Sequence, residues 1–318
     1  MSKLTVVMYH YIRDLNNSRY PGIKGLDSSL FRHQIEFLTN NFHVVRMEEV
    51  VDAFDNKNVL PENALLLTFD DGYIDNYTFA FPVLDEFGVQ GSFFIPGKTF
   101  AEHKLLDVNK IHYILASGNS KDIGRDLRVE MDYYRGEEFD YKTTDELYHE
   151  YGIPNRFDDG ETIFIKRMLQ TVLPEKLRNI ISSKLFEKYV GISEEKLAYE
   201  LYMNRDQIKT MIRHGMHIGI HGYDHYWLGN LETGEMKRDI DQALDTLREF
   251  INPSAWSIAY PYGNYNQDVL DYVASKGAKV GVTTAVRMCN LAMDSSLLIP
   301  RFDCNDFPPK SENYLTIH

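Results

Sequence analysis

The run Ala64-Leu65-Leu66-Leu67-Thr68, which passes without a break into Phe69-Asp70-Asp71-Gly72, constrains the fold more than any other stretch of this 318-residue chain. A strand that is apolar on both faces has to be covered on both, which is the pattern of a parallel strand flanked by helices. Two adjacent carboxylates at its exit are costly unless a cation or a proton relieves them. The stretch therefore predicts a βα unit with chemistry at the C-terminal end of the strand. Further short strands are expected at 4–8, 44–45, 91–95, 216–220, 255–260 and 279–282, each bounded by turn residues. Helices are expected between them: one capped by Ser29 with Phe31, Ile35 and Leu38 on one face, then 47–54, 75–87, 206–214, 233–250 and 266–276. Alternating strands and helices imply an α/β architecture with a parallel sheet.

The rhythm fails between about residues 101 and 203. That stretch is acidic and tyrosine-rich, then helical over about 161–189 and 194–202, and it reads as a largely helical insertion within one domain spanning 1–318. Its tyrosines (Tyr133, Tyr134, Tyr141, Tyr148, Tyr151) could stack on sugar rings, but aromatics in a long insertion are more often small local cores, and that reading is preferred. His103 and His112 are read as structural, and His33, His43, His149, His214 and His217 are given no role.

Forty-seven acidic residues against 34 basic ones give a formal net charge of −13. Polyphosphate binding needs a positive surface, so a nucleic-acid partner is not expected. The two cysteines, Cys289 and Cys304, lack CxxC spacing and read as free thiols of a reducing compartment. The first residues offer only a four-residue apolar run, too short for a signal peptide or a membrane span. The expectation is a cytoplasmic protein without a transmembrane segment.

Four polar clusters stand where strands end: His10, Asp70-Asp71, His221 with His225, and Tyr260-Pro261-Tyr262-Gly263. Loops at the C-terminal strand ends of an α/β barrel converge on one mouth, which is where its active site lies. Side chains of neighbouring residues diverge, so one aspartate can bind a metal while the other stays free as a base. A bare Asp-Asp-Gly is more often a helix cap with one solvated acid, and a lone His-x3-His is as often a chance pair. Together at converging strand ends they favour a metal site. Two histidines and one carboxylate leave positions open for water and substrate, as in catalytic zinc centres. Alternation supports this, because His217, Gly219 and His221 share the face opposite Met216, Ile218 and Ile220.

Thr68-Phe69-Asp70-Asp71-Gly72, His221-x3-His225 and Pro261-Tyr262-Gly263 resemble, in order and interval, the three motifs of the NodB-type polysaccharide deacetylases (carbohydrate esterase family four). Met8-Tyr9-His10 resembles the opening of a subgroup that includes poly-N-acetylglucosamine deacetylases. The resemblance covers roughly residues 4–98 and 204–303. It implies a distorted (β/α) barrel of about seven strands. It also implies a divalent cation on Asp71, His221 and His225, with zinc expected and cobalt, nickel or manganese compatible. Asp70 would be the general base, His10 the general acid and the backbone N–H of Tyr262 an oxyanion donor. Such a site suits hydrolysis of the N-acetyl group of a sugar. The cation polarises the carbonyl and activates water, a carboxylate takes the water proton, and a protonated histidine serves the leaving amine.

Three departures stand out, one being that the family's later Asp-containing motif is not recognisable. Gly222 occupies the place of the usual Ser or Thr after the first histidine. Ala259 stands where an arginine normally orients the base, and Arg301, in Ile299-Pro300-Arg301-Phe302-Asp303, is the expected replacement. Leu315-x-Ile317-His318 imitates the family's terminal Leu-x-x-His but is read as coincidence at the chain end. The leading expectation is a sugar N-deacetylase of surface-glycan assembly acting on a nucleotide- or lipid-linked precursor. The alternatives are an allantoinase-like hydrolase of small cyclic amides and an inactive carbohydrate-binding homologue.

Overall fold

The computed structural model describes residues 3–136, 138–252 and 256–316. Ala255, at the start of one expected strand, and the terminal Ile317-His318 lie outside them. The chain divides into two compact units, one of 1–14, 25–103 and 200–318, the other of 15–24 and 104–199.

The first unit is built on β1 (Lys3–Tyr9), β2 (Ile12–Arg13), β3 (Leu26–Asp27), β4 (His43–Val44), β5 (Ala64–Phe69), β6 (Gly91–Ile95), β7 (His217–Ile220), β8 (Ser257–Ala259), β9 (Val280–Val282), β10 (Cys289–Asn290) and β11 (Phe302–Asp303). Seven of these form a curled sheet in the order β10-β1-β5-β6-β7-β8-β9, while β4 pairs with β5 and β11 with β1. From β1 to β9 every neighbouring pair is parallel, and β10 lies antiparallel to β1. The segment after β10 draws the two ends of the sheet together. Ile299 bridges to Val282 of β9, Arg301 N–H donates to the Ala285 carbonyl, and Phe302 then pairs with Val7 of β1. The result is the distorted half-barrel that the motifs implied.

The period of two along the strands sorts side chains into two cores. Leu65, Leu67 and Phe69, with Val7, Tyr9, Ile218 and Ile220, face a ring of helices through Phe31, Ile35, Leu38, Ile240 and Leu247. Leu4, Val6, Leu66, Phe94, Ala259 and Val282 fill the inside, joined by Met47 and Val50. Asp70 follows Thr68 and Leu66 in the inward set, as His10 follows Met8 and Val6. The pairing Met8–Thr68 and Tyr9–Phe69 brings both to one height at the mouth, and Asp70 N–H donates to the Tyr9 carbonyl at 2.9 Å.

Helix boundaries depart from expectation where a competing donor or backbone geometry intervenes. The cap of helix Ser28–Asn41 is Asp27, whose carboxylate accepts from Ser29 N–H, so Ser29 lies inside the helix. The stretch expected as 75–87 is a π-turn, Asn76–Ala80, leading into Phe81–Phe87. That expected as 161–189 is broken into Gly160–Arg167, a π-turn at Met168–Val172 and Glu175–Val190, with Pro174 unable to continue a helix as a donor. No described helix is long and apolar enough to cross a membrane.

The second unit is helical, with Ile111, Ile123, Leu127, Phe164, Ile181 and Leu185 buried. Residues 15–24 belong to it: the Tyr20 hydroxyl donates to the Val190 carbonyl and its ring meets Tyr113 edge-on. Tyr148 packs edge-on against Phe164, and Tyr141 donates to the Met131 carbonyl, while the Tyr133 side chain is exposed. Cys289 and Cys304 are free, buried thiols.

The outer core has a recognisable centre. Phe69 is fully buried and stacks on Tyr9 at 4.9 Å and Phe93 at 4.6 Å. Truncation (Phe69→Ala) is expected to cost about 3–5 kcal/mol through lost transfer energy and the cavity left behind. Urea unfolding should show this as a lower midpoint.

Candidate active site

Each of the three motifs turns on a left-handed kink. Among the described residues, six non-glycine positions have positive φ, and three of them are Asp71 (75°), His225 (58°) and Tyr262 (58°). Glycines with positive φ stand beside or within the same turns, at Gly72, Gly222 and Gly263. Non-glycine residues adopt this region at a cost that surrounding structure must offset, and such positions cluster at functional sites. Here the kinks bend the chain at the strand exits and bring three turns to one place.

Asp71, His221 and His225 converge. One ligand atom from each lies within 4.8 Å of the others, and all three residues are buried. Asp71 Oδ1 stands 3.4 Å from His221 Nε2 and 3.3 Å from His225 Nε2, yet accepts no hydrogen bond from the described residues. His221 is oriented from behind, its Nδ1 lying 2.7 Å from the Ala259 carbonyl, which leaves Nε2 for the mouth. An orphaned buried carboxylate oxygen facing two imidazole nitrogens fits a divalent cation in donor type and spacing. Burial pushes the Asp71 carboxyl up, but the nearness of His221 and His225 outweighs it and holds the group well below the usual carboxylate range.

Asp70 is gripped instead by Arg301. The guanidinium meets it with two prongs, Nη1 to Oδ1 at 2.9 Å and Nη2 to Oδ2 at 2.8 Å. Arg301 Nε donates to the Thr283 carbonyl, and Nη1 also reaches the Thr68 hydroxyl at 3.2 Å. The ion pair is out of water, with side-chain exposures of 1% and 2%. Burial alone would raise the Asp70 carboxyl. The Arg301 charge, followed by His221, reverses the sign and holds it below its ordinary value. His10 stands at the rim, 39% exposed, with Nε2 3.9 Å from Asp70 Oδ2. The Tyr262 ring lies edge-on to His225 at 4.7 Å and stacks on Trp227 at 4.6 Å.

All seven residues singled out from the sequence thus lie in the first unit around one mouth. Three supports were not foreseen. The carboxylate of Asp239, on helix Thr233–Leu247, accepts from Tyr223 N–H and Asp224 N–H, both at 2.8 Å, and so clasps the loop between the two histidines. At Gly222, φ is +66°, and a Cβ would meet Asp239 Oδ1 at 2.9 Å, which gives a physical reason for glycine there. Tyr73 donates to Asp71, and Trp227 backs Tyr262. Only an acidic residue on the inward face of the 233–250 helix, beside Met236 and Ile240, could have signalled Asp239 in advance.

A curled parallel α/β barrel with a possible divalent-metal site at its C-terminal strand ends is the class that this fold and mouth define. The polysaccharide deacetylase family model matches residues 57–128 and 156–281, more than half of the chain, and the chain belongs to that family. It is 19% identical over 284 residues to a Bacillus subtilis (strain 168) protein named "Putative polysaccharide deacetylase YxkH", covering 89% of this chain and 65% of that one. It is 32% identical over 83 residues to the Escherichia coli (strain K12) poly-beta-1,6-N-acetyl-D-glucosamine N-deacetylase, covering 26% of this chain and 12% of that one. The chain therefore spans less than two thirds of the length of these curated relatives. Its fold is similar to that of the Streptococcus pyogenes deacetylase PplD, solved with acetate, with a TM-score of 0.59 at 18% identity over 99% of this chain and 96% of that one.

The clasp at Asp239 makes a pH prediction. Burial pushes this carboxyl up to about 6 against the two N–H donors that oppose it. A group whose folded-state pKa exceeds its unfolded value adds stability at low pH and loses it as pH rises through the folded value. The parent should therefore lose stability relative to Asp239→Asn between about pH 4 and 6. Thermal unfolding of both proteins across that window reads the difference.

Proposed function

We propose that this chain hydrolyses the N-acetyl amide of an amino sugar, releasing acetate and the free amine, within one deacetylase domain carrying the second unit as an insertion. The observation that carries the reading is the division of labour between the two aspartates. One has an unpartnered oxygen turned toward two imidazoles, and the other is held away from them by an arginine. Asp71, His221 and His225 would hold a divalent cation, zinc by donor type, with cobalt, nickel or manganese also compatible. When bound, such a cation supplies Lewis acidity and lowers the pKa of water.

Asp70 is the general base in this reading. It takes the proton of the attacking water as the new C–O bond forms. Arg301 is a positioning residue that keeps the base ionised and fixes its plane, in place of the arginine that the sequence lacks at Ala259. The backbone N–H of Tyr262 stabilises the developing oxyanion, and the left-handed turn there aims it. His10, at the rim, gives a proton to the amine nitrogen as the C–N bond breaks. Support for a sugar substrate comes from the family and from the Escherichia coli relative, whose name specifies poly-N-acetylglucosamine. An inactive binder would have no need of the Arg301–Asp70 pair, and the small cyclic amide gains no support from these relatives.

The direct test is acetate release from N-acetylglucosamine oligomers, nucleotide-linked and lipid-linked N-acetylated sugars, and allantoin as the cyclic amide. Release from a sugar substrate should vanish after chelation and return with Zn2+ or Co2+. Activity indifferent to chelation, or confined to allantoin, would sink the reading.

The arginine gives a second expectation. Without it, burial acts on Asp70 with less opposition, so in Arg301→Ala the acidic limb of kcat/KM moves to higher pH. The rate at neutral pH falls by about 10²-fold or more, the scale of general-base catalysis. Because deleting one partner of a buried pair costs about 3–5 kcal/mol, folding has to be checked alongside the pH–rate profile.

A further inference from the structure

The two oxygens of Asp71 have different surroundings. Oδ1 faces His221 and His225 and accepts no hydrogen bond from the described residues. Oδ2 accepts the hydroxyl proton of Tyr73 at 2.6 Å. Tyr73 is fully buried. Its ring lies nearly parallel to Tyr11 on one side, with centroids 4.0 Å apart at 13°, and to Tyr202 at 6.3 Å and 12°. The backbone is fastened as firmly as the ring. Tyr73 forms an antiparallel bridge with Tyr202, and Met203 N–H donates to the Gly72 carbonyl at 3.0 Å. The hydroxyl is therefore a stationary point from which the carboxylate can be held.

We propose that Tyr73 is a positioning residue for the metal centre: its O–H occupies Oδ2 of Asp71 and so presents Oδ1 alone to the cation. The inference rests on the proposed metal reading of Asp71, His221 and His225 and goes a step beyond it. An ionised carboxylate offers two oxygens of equal donor strength, and it can swing or bind through both. A hydrogen bond to one breaks that symmetry, and partners of this kind orient ligands and set affinity at metal sites. His221 has the corresponding support in the Ala259 carbonyl, whereas Nδ1 of His225 has no hydrogen-bond partner among the described residues. Two of the three ligands are thus held from behind, and Asp71 owes its hold to one hydroxyl. Packing accounts for an aromatic ring beside Tyr11 and Tyr202, but packing does not by itself call for the hydroxyl, which donates to Asp71. The O–H is explained by its acceptor.

The experiment compares chelator-stripped parent, Tyr73→Phe and Tyr202→Leu. Zn2+ affinity is measured by titration calorimetry, and Co2+ release into excess chelator by visible absorption. Tyr73→Phe, which keeps the stack, should bind Zn2+ about 10-fold or more weakly, within the range seen when such supporting groups are removed. It should also release Co2+ faster and show altered Co2+ absorption bands. Tyr202→Leu disturbs the stack but not the hydrogen bond, so it should lower the melting temperature of the metal-free protein and weaken Zn2+ binding less than Tyr73→Phe does. The release rate is independent of the folded fraction, so a partly folded variant still reports. Equal affinity and release in parent and Tyr73→Phe would overturn the proposal, as would an equal loss in Tyr202→Leu. A parent that binds neither ion would overturn the metal reading itself, and this inference with it, which is a different result from a parent that binds and a variant that binds equally.

Discussion

Arg301 and Asp70 are 231 positions apart in the chain and face each other through two parallel hydrogen bonds with almost no exposure to water. Two charges removed from solvent are costly unless geometry is good and the remaining donors are satisfied. Here they are satisfied, since Nε of the guanidinium meets the Thr283 carbonyl and Nη1 also meets the Thr68 hydroxyl. The same contact draws the segment between β9 and β11 against the end of β5, so one ion pair serves both the closure of the curled sheet and the ionisation of the proposed base. Losing the arginine would leave a buried carboxylate with reason to take up a proton.

Around that pair the mouth is organised by backbone more than by side-chain chemistry. Parallel register sets His10 beside Asp70, and left-handed turns at Asp71, His225 and Tyr262 redirect the chain as each strand ends. Turns of this kind need outside support. The Asp239 carboxylate clasps the histidine loop, and Met203 and Tyr202 fasten the turn that follows Asp71. Both supports come from segments well removed in sequence from the motifs they hold. The site is consequently preorganised by the barrel, with Asp70, Asp71 and His221 each held by a hydrogen-bond partner.

Much of this was legible in advance. The inward set of β7 could be read from alternation, and it placed His221 opposite the apolar residues that form the outer core. The continuous apolar run at β5 announced a doubly covered strand for the same reason. Helix ends were less legible: Asp27 outcompeted Ser29 as a cap, and Pro174 broke a helix whose apolar spacing looked continuous. Local propensity was overridden there by a better acceptor and by a missing N–H. Residues 15–24 gave no sign that they belong with the helical unit, because a polar loop carries no periodicity that would name its neighbours.

The sequence by itself determined which residue types stand at strand ends, the order of the three motifs and the parallel α/β character, since each is written in spacings of a few positions. Tertiary structure alone decided that the expected Arg301 does reach Asp70, that Asp239 clasps the loop beside His221, and that Tyr73 takes one oxygen of Asp71. The first two join segments 231 and 16 positions apart, and the third, between residues two apart, depends on Tyr73 being fastened by Tyr202 and Met203. Hydrophobic periodicity specifies which face of an element is buried, but the partner that a polar side chain finds there is set only when the sheet curls and its ends approach.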